Sequence, residues 1–161
     1  VLFLGLVTLR KGIGVLLEAI KQLAGEPIEL QIVGSLHIEV PEALKNHPQI
    51  RWIGPVPRSQ VAQQYQQADV FIFPTLSDGF GLTQLEAQSW KLPIIASPHC
   101  GQVVKHQQNG LLLPEITADA IAKAITYCYQ HPGALATYAS QAVSSNNFQL
   151  KDLSQRLIHI V

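Results

Sequence analysis

Ser77-Asp78-Gly79-Phe80-Gly81-Leu82-Thr83-Gln84-Leu85-Glu86-Ala87 is the stretch that decides how this sequence folds. Just before it, residues 69–73 (Asp-Val-Phe-Ile-Phe) make a short apolar run stopped by Pro74, the pattern of a buried strand. Just after its glycines, residues 82–90 read as a helix. Gly79 and Gly81 flank Phe80 and let the backbone turn sharply and approach a ligand closely. A buried strand, a glycine turn and a helix in succession form the unit from which a parallel sheet covered by helices is built.

The same alternation runs outward in both directions. Residues 1–5 read as a strand, and residues 12–23 as a helix with Ile13, Leu16, Leu17, Ile20 and Leu23 on one stripe. A strand over 28–33 ends at Gly34, and a loop with a short helix leads to a strand over 50–53, closed by Gly54. Ser59 is the expected N-cap of a helix reaching about residue 67. Beyond the quoted stretch come strands over 93–97 and 111–113, then a helix capped by Thr117 that runs to about residue 130. Two more helices are expected over 133–144 and from 150 to the end. No repeat, low-complexity tract or linker interrupts the pattern. The expectation is one domain, 1–161, of doubly wound α/β class: a Rossmann-like parallel sheet with helices on both faces. Ligands of such folds bind where strand carboxyl ends meet helix N-termini.

Composition narrows the function classes. The 161 residues are 47% hydrophobic and 14% charged, enough to bury a full core. Eleven basic residues balance eleven acidic ones, so the charge points to no nucleic-acid or membrane-surface partner. The longest apolar runs are strand-sized, so no transmembrane segment is expected. Cys100 and Cys128 have no metal-ligand spacing, and none of the six histidines forms one with Cys, Asp or Glu. No metal and no cofactor are expected, and the bland reading of the cysteines is a reduced, cytoplasmic protein. Opening on an apolar strand without Met, the chain is expected to be part of a longer polypeptide.

The chemistry lies in the turn. The free N–H groups of a helix's first turn and the positive end of its dipole suit an anion, and a diphosphate is a natural occupant. Asp78 and Glu86, eight positions apart, bracket that helix start.

With Gly79, Phe80, Gly81, Leu82 and Ala87, the acidic pair resembles Glu-Gly-Phe-Gly-Leu-x-x-x-Glu-Ala. That is the signature of glycosyltransferase family 4, the glycosyl transferases group 1, and of its GT-B relatives. The resemblance implies that Gly79, Phe80, Gly81 and Leu82 line a donor site, that Asp78 lies by the donor sugar, and that Glu86 binds the ribose hydroxyls. Asp78 stands where the family usually has Glu, which withdraws the carboxylate by about one methylene. Two plainer readings stand beside these: Thr83-x-x-Glu86 is also a capping-box pattern, and Asp78 suits a turn bonded to its own backbone.

Gly5-Leu6-Val7-Thr8-Leu9-Arg10-Lys11-Gly12 resembles the family's Gly-Arg-Leu-x-x-x-Lys-Gly, whose Arg and Lys reach the donor diphosphate. Lys11 matches and carries the phosphate role by resemblance, with Asp78 the other expected catalytic residue. Leu6 replaces the Arg with an apolar side chain, and Arg10 is the nearby substitute. For Lys11 the plainer reading is a solvated lysine at a helix start, mildly opposed by the dipole. Val33-Gly34, Ile53-Gly54, Ala68-Asp69-Val70, Phe73-Pro74, residues 92–97, Gly101 and residues 109–112 fall in the family's order, so the resemblance spans residues 1–130. Gln102 falls near a family Glu, after a loop shortened by two residues, and His99 shares that loop. Trp52 and Trp90 are expected in the core.

The resemblance implies the donor-binding half of a retaining, metal-independent glycosyltransferase. It would take a UDP-, GDP- or ADP-sugar and face an N-terminal acceptor domain that these residues do not include. Residues 148–161 would form a helix crossing toward that domain, and this piece alone would bind nucleotide without turnover. Two alternatives stay open: a degenerate, non-catalytic binding or scaffold module, suggested by Leu6, Asp78 and the shortened loop, and a sugar-nucleotide epimerase of the same architecture.

Overall fold

The structure is a computed structural model, and it describes residues 1–142. Six strands, β1 (Leu2–Leu4), β2 (Leu30–Val33), β3 (Ile50–Gly54), β4 (Phe71–Phe73), β5 (Ile94–Ala96) and β6 (Gly110–Leu112), form one sheet. Every pairing is parallel, in the order β3-β2-β1-β4-β5-β6. The chain winds outward from β1 to β3, then returns to the centre and winds the other way from β4. The seam between β1 and β4 is therefore the switch point at which such sheets open a ligand crevice.

Alternation along the strands divides the core into two layers. Phe3, Ile32, Ile72, Ile95 and Leu111 face one side, where they meet Ile13, Leu16, Leu17 and Ile20 of α1 (Ile13–Gln22) and Ile121 and Ile125 of α5 (Ala118–Gln130). Leu44 of the short α2 (Glu42–Lys45) joins this layer, and α6 (Pro132–Ser140) contributes Tyr138. Leu2, Val33, Phe71, Phe73, Ile94 and Ala96 face the other side. There they pack with Tyr65 of α3 (Arg58–Gln66) and Ala87 of α4 (Leu82–Ser89). The α/β class and the doubly wound layering are as the sequence predicts.

Three local expectations are corrected. Ser59 does not cap α3: Pro57 holds the N-cap with φ −58°, the value its ring imposes, and its carbonyl accepts from the Gln60 N–H at 2.8 Å. Ser59 thus sits inside the first turn. Trp90 is not core: α4 ends at Ser89, and Trp90 lies at its solvent end, 43% exposed, while Gln84, Ala87 and Gln88 fill the space beneath the helix. The helix expected over 133–144 spans Pro132–Ser140, and the one expected from 150 lies outside the described residues. Trp52 packs against the first core layer, its indole N–H on the Leu44 carbonyl at 3.1 Å. Thr117 caps α5 as expected, its hydroxyl accepting from the Ala120 N–H at 3.2 Å.

Candidate functional site

Both helices that start beside the switch point begin at a glycine in the left-handed region. Gly12 precedes α1 with φ 75° and ψ 15°, and Gly81 precedes α4 with φ 77° and ψ 67°. Neither helix start receives a side-chain cap. At Gly81 the reason is spatial: a Cβ there would lie 2.6 Å from the Phe73 ring. This removes the capping box: Gly81, not a hydroxyl residue, is the N-cap, Thr83 lies within the helix, and the Glu86 carboxylate is directed elsewhere.

The loops after β1 and β4 interlock across the seam. The Arg10 carbonyl accepts from the Leu76 N–H at 2.9 Å, and the Arg10 guanidinium donates to the Ser77 carbonyl at 2.9 Å. The fully buried Thr75 places its hydroxyl 3.1 Å from both the Arg10 and the Ser77 carbonyls. This clasp brings together two residues that are 67 positions apart in sequence: the Lys11 ammonium pairs directly with the Asp78 carboxylate. Both side chains are largely withdrawn from solvent, 16% and 15% exposed, and the Lys11 ammonium also stands 5.1 Å from the centre of the Phe73 ring. Lys11 is therefore not a free-standing surface lysine, and the Asp78 carboxylate is engaged with it. Leu6, two residues past β1, is 51% exposed.

A third loop closes onto the second. The Asp78 N–H donates to the His99 carbonyl at 3.0 Å, and the Gly101 N–H donates to the Phe80 carbonyl at 3.0 Å. Gln84, which the sequence reading passed over, is fully buried, and its amide donates to Phe80 O at 3.0 Å and Gly101 O at 3.3 Å. Its only signal was a polar residue on the inward side of a helix. Gln84→Ala is expected to lower stability by about 1–3 kcal/mol, since it removes a fully buried side chain together with its bonds to the Phe80 and Gly101 carbonyls; a denaturant titration measures it. Gln102, in this loop, is exposed.

Glu86 lies one turn and more into α4, and its Oε2 accepts from the Tyr65 hydroxyl at 2.9 Å. Tyr65 also escaped the sequence reading, because it stands alone among glutamines in α3. Cys100 and Cys128 are free. Burial pushes the Cys128 thiol up to about 12 and raises Cys100, whose thiol donates to the Ser97 carbonyl at 3.2 Å. Among the described residues, no group of three or more His, Cys, Asp or Glu gathers as metal ligands would, and no helix is long and apolar enough to cross a membrane.

Two glycine-started helices thus begin beside the seam, with Lys11 and Asp78 paired in the loops and Glu86 on α4 bonded to Tyr65. Residues 1–131 match the family model described as glycosyl transferases group 1. The chain belongs to that family.

This group 1 chain is 31% identical over 159 residues to the D-inositol 3-phosphate glycosyltransferase of Corynebacterium urealyticum, with 86% of the chain and 37% of the relative covered. Its fold superposes on HepE of Anabaena, solved in complex with UDP, with a TM-score of 0.80 and 20% identity. That match covers 99% of this chain and 47% of HepE. A second solved structure is the C-terminal domain of a glycosyl transferase group 1 family protein from Francisella tularensis, with a TM-score of 0.73 and 20% identity over 88% of this chain and 80% of that one. The chain spans about a quarter to two fifths of the length of the curated relatives it matches first.

Proposed function

We propose that this group 1 domain binds the nucleoside diphosphate of a sugar donor at the β1/β4 seam, as the donor half of a two-domain glycosyltransferase. The observation that carries the reading is the pair of side-chain-uncapped helix N-termini at Gly12 and Gly81, with the Lys11 ammonium held beside Asp78 and the Phe73 ring in the loops that lead into them. Their N–H groups and dipoles attract a diphosphate, and Lys11 adds the full charge that helices alone do not supply. In this reading Lys11, with Arg10 beside it, and the N–H groups around Gly81 and Leu82 take up the charge that grows on the nucleoside diphosphate as the glycosidic bond breaks. Asp78, followed by Gly79 and Phe80 in the same loop, faces the sugar, and Glu86 accepts from the ribose hydroxyls. Retention of configuration and independence from metal follow from the family resemblance. The acceptor domain is carried by other residues of a longer protein, consistent with the 47% share of HepE that this chain covers.

UDP is the first nucleotide to try, because HepE is solved with it. Titrating the chain with UDP, GDP and ADP without metal is expected to raise the unfolding temperature with one of them. At about 100 times the dissociation constant the gain is roughly 2.7 kcal/mol, or about 5–11 °C for a domain of this size. A flat response to all three would overturn the reading.

One observation favours a second reading, a degenerate binding module. Leu6 puts an apolar, exposed side chain where the family has a phosphate-binding Arg. Sugar transfer by the full-length parent, abolished by Glu86→Ala, would exclude it.

A further inference from the structure

Glu86 is an exposed residue on the surface of α4, yet its carboxylate is not free to wander. Its Oε2 is held by the Tyr65 hydroxyl at 2.9 Å, and Oε1 has no partner among the described residues. Tyr65 is 2% exposed, its ring set edge-on against Phe71 with centroids 5.9 Å apart and packed in the second core layer. The phenol therefore has one place to put its hydroxyl, at the junction of α3 and α4. It donates to the carboxylate, with the Thr83 carbonyl a more distant neighbour at 3.4 Å. Burial and the Glu86 charge drive the phenol's pKa far upward, so it stays a donor throughout the working pH range.

An exposed glutamate ordinarily samples many rotamers, and a ligand that uses it must order it first. Here the ordering is built into the core: one carboxylate oxygen is fixed by Tyr65 and the other is left to accept. We infer that Tyr65 is the positioning residue that orients the Glu86 carboxylate toward the ribose hydroxyls of the nucleotide. This rests on the ribose role given to Glu86 above. The phenol touches no ligand itself and acts only through Glu86.

The test separates the two claims. The chain, its Tyr65→Phe and Glu86→Ala variants and the double variant are titrated calorimetrically with UDP, GDP and ADP, each beside its 2′,3′-dideoxy counterpart. The parent chain is expected to prefer the ribose form of its nucleotide by about tenfold or more. Tyr65→Phe keeps the ring in the core and is expected to cut that preference about 3- to 10-fold, by weakening the ribose form alone. In the Glu86→Ala background the same change is expected to do nothing. A merely structural tyrosine would weaken both nucleotides of a pair equally, and that result overturns the inference. An undiminished preference in Tyr65→Phe overturns it too, while leaving Glu86 in its role. If the parent chain binds no nucleotide, or binds both forms alike, the ribose reading of Glu86 falls and the inference falls with it.

Discussion

Lys11→Ala is expected to weaken nucleoside diphosphate binding by roughly 10- to 150-fold, the range given by losing about 1.5–3 kcal/mol of charge-assisted hydrogen bonding. The size follows from where the ammonium sits. It is paired with Asp78 over the Phe73 ring and only 16% exposed, so its field at the site is damped less than that of a surface lysine. Arg10 adds to the positive field but does not replace the Lys11 contact, because its guanidinium is bonded to the Ser77 carbonyl that latches the two loops. Leu6 supplies no charge at all. Asp78→Asn is the informative companion. The Asp78 carboxylate pairs with Lys11, the ammonium an anionic ligand would use. Neutralising it is expected to tighten a bare nucleoside diphosphate several-fold, even as it removes the carboxylate proposed to face the sugar. Isothermal titration of both variants reads the pair. Equal weakening by Asp78→Asn and Lys11→Ala would show that the ion pair only builds the loop and that the phosphate is held elsewhere.

How much of this was legible in the sequence depends on the range over which each feature is decided. The strand, glycine turn and helix around residues 69–90 were legible because period-2 and helical patterns are local, and their repetition made the parallel sheet legible too. The outer ends of elements were less so. Thr83-x-x-Glu86 has capping-box spacing whichever residue becomes the N-cap, and the choice fell to Gly81 because the Phe73 ring leaves no room for a Cβ there. The pairing of Lys11 with Asp78 was beyond local reading. Both residues were singled out, but what joins them is strand order: β1 and β4 are neighbours only because the chain returns to the centre of the sheet. Tyr65 and Gln84 were missed for a related reason. Each is a polar-tipped residue with its apolar or amide body turned inward, and a glutamine-rich helix shows no apolar stripe to reveal which side is inside.

Gly12→Ala is expected to destabilise the fold by about 3 kcal/mol or more, lowering the unfolding temperature by roughly 6–12 °C. Two costs combine. Gly12 has φ 75°, which an alanine adopts only with strain. Its new Cβ would also lie 1.9 Å from the Pro74 carbonyl oxygen, and since that atom is backbone, no rotamer change can relieve the overlap. The loops after β1 and β4 must move apart, and these are the loops whose clasp joins Arg10 to Ser77 and Lys11 to Asp78. Nucleotide binding is therefore expected to fall along with stability, even at temperatures where the variant remains folded. Gly133→Ala is the matched control. Gly133 lies in the first turn of α6, and nothing stands within 4 Å of the added Cβ. There the same methyl group is expected to be neutral or to stabilise by up to about 1 kcal/mol through helix propensity. Thermal unfolding of the two variants side by side distinguishes a general intolerance of glycine replacement from a close approach at the seam. A Gly12→Ala chain as stable as the parent would mean that the loops can separate freely, and the site would then lose the rigidity on which its preorganised charge depends.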